Sequence, residues 1–212
     1  MTVQPLRREV VSPDVCTHLT GTDHVHSLSV ALADVTRQVE LIDRWGRHAA
    51  DVLAGPGRGR LITAGNGGSA AQAQHLTAEL VGRYKADRPP FSAICLTAET
   101  SSLTSIANDY PAEELFARQV EAHGRPGDVL VLMSTSGRSP NIVAAAERGR
   151  KVGMHVWSFT GPGPNPLSEA ADEALCVDAT YTATVQELHL VGLHALCAGL
   201  DRELGVIPAA VA

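Results

Sequence analysis

"RLITAGNGGSAAQAQHLTAEL" occupies positions 60–80. Its first five residues, "RLITA" (60–64), are a short apolar run with a β-branched pair. "GNGGS" (65–69) has the glycines of a tight turn, and the remainder is rich in Ala, Gln, Leu and Glu, which form helices readily. Strand, turn and helix in that order are the opening of a βα unit.

The same alternation continues along the chain. "SAICL" (92–96), "DVLVLMS" (128–134), "MHVWSFT" (154–160) and "EALCV" (173–177) are short apolar runs bounded by Gly, Pro or polar residues. Helix-like segments lie near 69–86, 112–123, 139–151 and 165–171, and a long one covers 182–204. Strands without polar alternation, separated by helices, predict a parallel sheet covered on both faces, with right-handed crossovers. Before the first strand, Leu28, Leu32, Val35, Val39, Ile42 and Trp45 recur at helical spacing, so one amphipathic helix is expected over Leu28–Leu53. "GPGRG" (55–59) ends it. Residues 1–26 read as a flexible arm, in which His24 and His26 alternate without anything nearby to complete a metal site. Residues 27–212 read as one domain.

Composition narrows the class. Net charge is −6, which argues against a nucleic-acid footprint at the level of the whole chain. No apolar run approaches the roughly 20 residues of a membrane-spanning helix. The first residues, "MTVQPLRREVVSPDV", carry charges and prolines where a signal peptide is apolar, so a cytoplasmic location is expected. Cys16, Cys95, Cys176 and Cys197 are widely separated, without a CxxC pair, and read as reduced, packed side chains.

The glycine turn lies where α/β sheets bind ligands, beyond the carboxyl end of a strand. Free N–H groups and the helix dipole favour an anion there, and Ser69 can cap the helix or donate to a phosphate. The same glycines also suit a bare strand-to-helix turn. Gly65, Gly67 and Ala70 match the dinucleotide pattern GxGxxA, but the acidic residue after the next strand, Glu99, comes later than that motif needs. A second turn, "MSTSGRSPNI" (133–142), offers the hydroxyls of Ser134, Thr135, Ser136 and Ser139. Two such turns in one sheet protein point to a sugar phosphate.

Side chains able to do chemistry follow both turns. His75 and Glu79, four apart, share a helix face. In "VQELHLVGLH", Gln186 and His194 can share a face, whereas His189 and His194 diverge by roughly 140° on an ideal helix. Two imidazoles and a carboxylate suit zinc, although helical histidines are also commonly packed or solvated without a ligand role.

Taken together, "GNGGSAAQAQHLTAELVGRY", "SIANDY", "GDVLVLMSTSGRS" and "VQELHLVGLH" resemble the phosphoheptose isomerases of the sugar-isomerase (SIS) fold, over residues 28–204. The resemblance implies a flavodoxin-like αβα sandwich with a five-stranded parallel sheet, assembled as a homotetramer with sites between subunits. It implies sugar-phosphate binding by Asn66, Gly67, Gly68, Ser69, Ser134, Thr135, Ser136 and Ser139, with Asn108 and Asp109 as a further substrate-binding pair. His75, Glu79, Gln186 and His194 match zinc ligands; Glu79 and Gln186 also face substrate, and Glu79 and His194 match the base and the acid. His189 is not a ligand in that pattern. Two positions depart from it: Arg138 stands where Asn is frequent, and Thr184 where Arg is common.

The activity so implied is aldose–ketose isomerisation of sedoheptulose 7-phosphate to D-glycero-D-manno-heptose 7-phosphate through an enediol. Two alternatives stay open at this point. One is a non-catalytic SIS-domain protein of the type that binds the replication initiator, which lacks the carboxylate and the acid histidine. The other is an isomerase of another sugar phosphate.

Overall fold

The computed structural model describes residues 20–206. Its elements run α1 (Gly21–Arg37), α2 (Val39–Ala54), β1 (Leu61–Gly65), α3 (Gly68–Val81), β2 (Ala93–Cys95), α4 (Thr100–Asp109), α5 (Glu114–His123), β3 (Val129–Ser134), α6 (Pro140–Val152), β4 (His155–Thr160), α7 (Pro166–Ala170), β5 (Glu173–Cys176) and α8 (Thr182–Glu203). All five strands are parallel, in the order β2-β1-β3-β4-β5. The expected αβα sandwich is present.

The strands carry few polar residues because both sheet faces are covered. Leu61, Val129, Val131, Met133, Trp157, Phe159 and Leu175 join a core with Trp45, Leu76 and Leu188. The intervening Ile62, Ala64, Leu130, Leu132 and Val156 join a second core with Phe116, Ile142, Ala145 and Leu167. On the first face α2 and α8 approach backbone to backbone. A Cβ on Gly46 would lie 2.8–2.9 Å from the backbone of Gly199 and Leu200, so only glycine fits the crossing.

Two expectations change. The helix expected over Leu28–Leu53 is two helices, broken at Gln38 (φ −101, ψ 6). The carboxamide of Gln38 explains the break: its Nε2 donates to Cys176 O at 2.7 Å, while its Oε1 accepts from Cys176 N at 3.3 Å. The break also splits the apolar stripe. Val35, Ile42 and Trp45 are buried, whereas Leu32 and Val39 are 42% and 40% exposed. The second change is at the N-terminus, where helix begins at Gly21, inside the expected arm. Thr20 and Asp23 form a capping box: Asp23 N donates to Thr20 Oγ1 at 3.2 Å and Thr20 N to Asp23 Oδ2 at 2.9 Å. His24 is no solvated tail residue, since its Nε2 lies 2.8 Å from Glu187 Oε1 on α8. The remainder of the expected arm, residues 1–19, lies outside the described residues, as does Cys16. Cys95, Cys176 and Cys197 are free thiols.

Helix α4 was not expected. Its segment, "TSSLTSIAND", has no buried residue and therefore no apolar stripe to read. Glu99 starts it by accepting from Ser101 N at 2.9 Å and Ser102 N at 2.6 Å. Those bonds, Ser102 foremost, hold the Glu99 carboxyl below the usual range. Helix α3 stops at Val81, earlier than expected, because Gly82 leaves helical geometry (ψ −113) after closing one bond to Ala78 O.

Candidate active site

The sheet order reverses between β1 and β3, and ligands of open α/β sheets bind in the crevice beyond the strand ends at such a point. Both sequence-predicted turns lie there. After β1, Gly67 takes φ 54 and ψ −122, a conformation that L side chains rarely adopt, and α3 begins at Gly68. Ser69 and Ala70 turn their N–H groups back to Asn66 O at 3.0 and 3.3 Å. The N–H groups of Asn66, Gly67 and Gly68 meet no acceptor among the described residues, which leaves donors for an anion.

After β3, Ser134 is buried, with Oγ 3.3 Å from Ser139 Oγ. Thr135 is half-buried and Ser136 is exposed, accepting from Arg138 N at 3.2 Å. Arg138 itself points no side-chain hydrogen bond at any described residue. The two turns are tied together by Asn66 and Asn141, whose carboxamides exchange hydrogen bonds of 3.0 Å in both directions. Sequence reading missed Asn141, which lies 75 positions from its partner.

Beyond the turns, α3 and α8 run side by side. His75 Nε2 lies 3.0 Å from His194 Nε2 and 3.2 Å from Glu79 Oε1. Ligand atoms of His75, Glu79 and His194 all fall within 4.8 Å of one another. Two imidazole nitrogens and a carboxylate oxygen converging this way are a donor set that fits zinc. Tyr84, also missed, stacks on His194 with ring centroids 5.5 Å apart. Burial, then the neighbouring His75, pushes His194 below the ordinary imidazole range, against the pull of Glu79. Burial likewise raises the Cys197 thiol to about 12, with Glu79 and Asp201 adding to the effect, so this cysteine is chemically inert.

Gln186, the fourth expected ligand, lies against the glycine turn. Its carboxamide packs on Gly68, so closely that a Cβ there would collide with it, and Gln72 Nε2 donates to its backbone carbonyl. Asn108 and Asp109 end α4, exposed, with Asn108 Nδ2 donating to Asp109 Oδ1 at 2.6 Å. No hydrogen bond among the described residues joins this pair to either turn. Thr184 is fully buried against α1, 3.4 Å from Ser27 Oγ, and so takes no part in the crevice.

His189 points away from the cluster, as the helix angle predicted. It is fully buried, with Nε2 3.2 Å from Thr160 O and its ring edge-on to Phe159. Burial lowers its pKa to about 4, from an ordinary 6.5. The unfolded chain therefore binds an extra proton between those values, so stability is full above pH 6.5 and declines as pH falls towards 4. The contribution is on the order of 3 kcal/mol. His189→Gln should remove this component, flattening the dependence of the urea midpoint on pH; parallel profiles for the two proteins would refute the assignment.

Comparison with known proteins agrees with this fold. The SIS domain family model matches residues 23–161. A phosphoheptose isomerase of Streptomyces coelicolor is 60% identical over 181 residues, covering 85% of this chain and 78% of that one. One of Azoarcus sp. is 50% identical over 146 residues, 68% of this chain and 74% of the relative. Among solved structures, phosphoheptose isomerase of Neisseria gonorrhoeae superposes with a TM-score of 0.77 at 34% identity, over 85% of this chain and 96% of that one. The chain belongs to the SIS domain family and, within it, to the phosphoheptose isomerases.

Proposed function

We propose that the protein interconverts sedoheptulose 7-phosphate and D-glycero-D-manno-heptose 7-phosphate. The observation that carries the reading is the convergence of Glu79 with His75 and His194, beyond the sheet end that holds two phosphate-type turns. A non-catalytic SIS-domain binder has no need of that carboxylate and imidazole pair.

The phosphate is anchored by the N–H groups of Asn66, Gly67 and Gly68 and by the hydroxyls of Ser134, Thr135, Ser136 and Ser139, with Ser69 at the start of α3. This end positions the sugar and takes no part in bond making. At the other end Glu79 removes a proton from C1 of the ketose while His194 gives one to O2, forming the enediol. Glu79 then returns its proton to C2, and O1 passes its proton to His194, which leaves an aldehyde at C1. Both residues end in their starting states. A divalent ion, zinc by its donor chemistry, would be held by His75, Glu79 and His194, with Gln186 the fourth expected ligand, and when bound would polarise the substrate oxygens as a Lewis acid.

Incubation of the purified, zinc-supplemented protein with sedoheptulose 7-phosphate should yield the aldoheptose phosphate. In deuterated water, solvent deuterium should enter at C2 of that product. Turnover of a different ketose phosphate alone would reassign the substrate, and no turnover of any would refute the reading. Ser136→Ala should raise KM about fivefold and leave kcat nearly unchanged, since one phosphate hydrogen bond is lost away from the reacting carbons. A fall in kcat with an unchanged KM would contradict that role.

A homotetramer is also part of the proposal. It is supported by apolar side chains left uncovered on α1 and α2, namely Val25 (60% exposed), Val30 (61%), Leu32 and Val39, and by α4, which buries none of its residues. Light scattering that finds a monomer would refute it. A cytoplasmic location is part of the same proposal; none of the described helices is long and apolar enough to cross a membrane.

A further inference from the structure

Glu79 sits two residues before the end of α3, in a turn that closes with a single backbone bond at Gly82. Helix ends fray, and a carboxylate on a loose turn cannot hold its distance from an imidazole on another helix. The loop that follows holds this turn: Phe91 N donates to Leu80 O at 3.1 Å, and the side chain that also ties the turn to α8 is that of Arg88. Its Nη2 donates to Glu79 O at 2.7 Å and its Nη1 to Leu80 O at 3.1 Å. Its Nε donates to Asp201 Oδ1 at 2.8 Å, and the two side chains are 1% and 0% exposed.

Asp201 belongs to α8, seven residues after His194, so His194, Cys197 and Asp201 form one stripe towards α3. One guanidinium thus grips the backbone of the base and the helix of the acid. A buried ion pair is weak evidence for stability, because desolvation offsets its attraction, and fixing register is its best-attested use. Asp201 fits that view: its Oδ2 is buried without a partner.

We infer that Arg88 and Asp201 are positioning residues, whose buried pair fixes the last turn of α3 to α8 and so holds the Glu79 carboxylate in register with the His194 imidazole. The inference rests on the isomerase reading for its kinetic consequence, but its geometric consequence stands apart. Both side chains are buried and belong neither to the turns nor to the His75–Glu79–His194 cluster. The phosphate turns lie at the opposite end of α3 and are tied separately by Asn66 and Asn141.

The test is the double variant Arg88→Met/Asp201→Leu, which removes the pair without stranding a buried charge. It should remain folded and keep the wild-type oligomeric state. Its kcat should fall about 10²-fold and its KM stay within about twofold, since misplacement at the chemistry is costly while phosphate anchoring is untouched. Arg88→Lys keeps the charge opposite Asp201 but loses the planar fork, and should lie between the double variant and the wild type in kcat. In protein labelled with 15N-histidine, the His75 and His194 imidazole resonances should move in either variant, while those of His48 and His155 stay in place. A folded double variant with wild-type kcat and unmoved His75 and His194 resonances would overturn the inference. If the double variant fails to fold, Arg88→Lys with wild-type kcat and resonances has the same force. A wild-type protein without isomerase activity would refute only the functional reading, because the imidazole resonances would still report on the register.

Discussion

Glu79→Gln should retain the fold and lose turnover by about 10²-fold or more, the range that removal of a general base produces. The amide keeps the shape of the carboxylate at the position 3.2 Å from His75 Nε2, but it cannot take a proton from carbon. Solvent deuterium incorporation into the product should fall in step with kcat, since both depend on the same transfer. The phosphate turns are untouched, so KM should change far less than kcat. Steady-state kinetics of the folded variant decide the matter. Full activity would require another base, whatever the metal content of the protein.

Trp45→Ala should be the most damaging single change to stability, costing about 3–5 kcal/mol, as truncation of a large buried aromatic does. Trp45 is fully buried on α2, stacked on Trp157 of β4 with centroids 5.1 Å apart and planes 4° from parallel. Its Nε1 donates to Glu173 Oε2 at 2.8 Å, so the substitution removes packing and a hydrogen bond together. Trp45→Phe should recover most of the packing but not the bond. A denaturant midpoint for Trp45→Ala close to that of the wild type would show that this face of the sheet can collapse around the lost ring.

The parallel sheet was legible because its central strands β1, β3 and β4 are buried on both faces almost throughout and so read as nearly unbroken apolar runs. "DVLVLMS" falls on Val129–Ser134 and "MHVWSFT" on His155–Thr160. Helix α4 was hidden for the converse reason: exposed on all sides, it leaves no periodicity, and only the Glu99 cap marks it. The break at Gln38 was equally silent, since neither glycine nor proline stands there and its cause is a contact with Cys176, 138 positions away. Within the site, helical spacing placed His75 and Glu79 on one face and separated His189 from His194, and the resemblance to the phosphoheptose isomerases singled out His194. Asn141, Tyr84 and Arg88 could not be read, because each acts through a partner brought near only by the fold: Asn66, His194, and Asp201 with the end of α3.

The side chain of Gln38 has a consequence beyond the helix break. A β-sheet with an open border invites strands from other chains, the first step towards cross-β aggregation. Here β5 is the border strand, and Gln38 occupies both the N–H and the carbonyl of Cys176 with its own carboxamide, as a neighbouring strand would. The opposite border, β2, is only three residues long, Ala93–Cys95, too short to template much. With Cys176 at the end of one border already paired and the other border minimal, strand addition is disfavoured at both edges of the sheet. An association of copies through helices, where side-chain shape selects the partner, is thereby favoured over backbone pairing, which accepts almost any sequence.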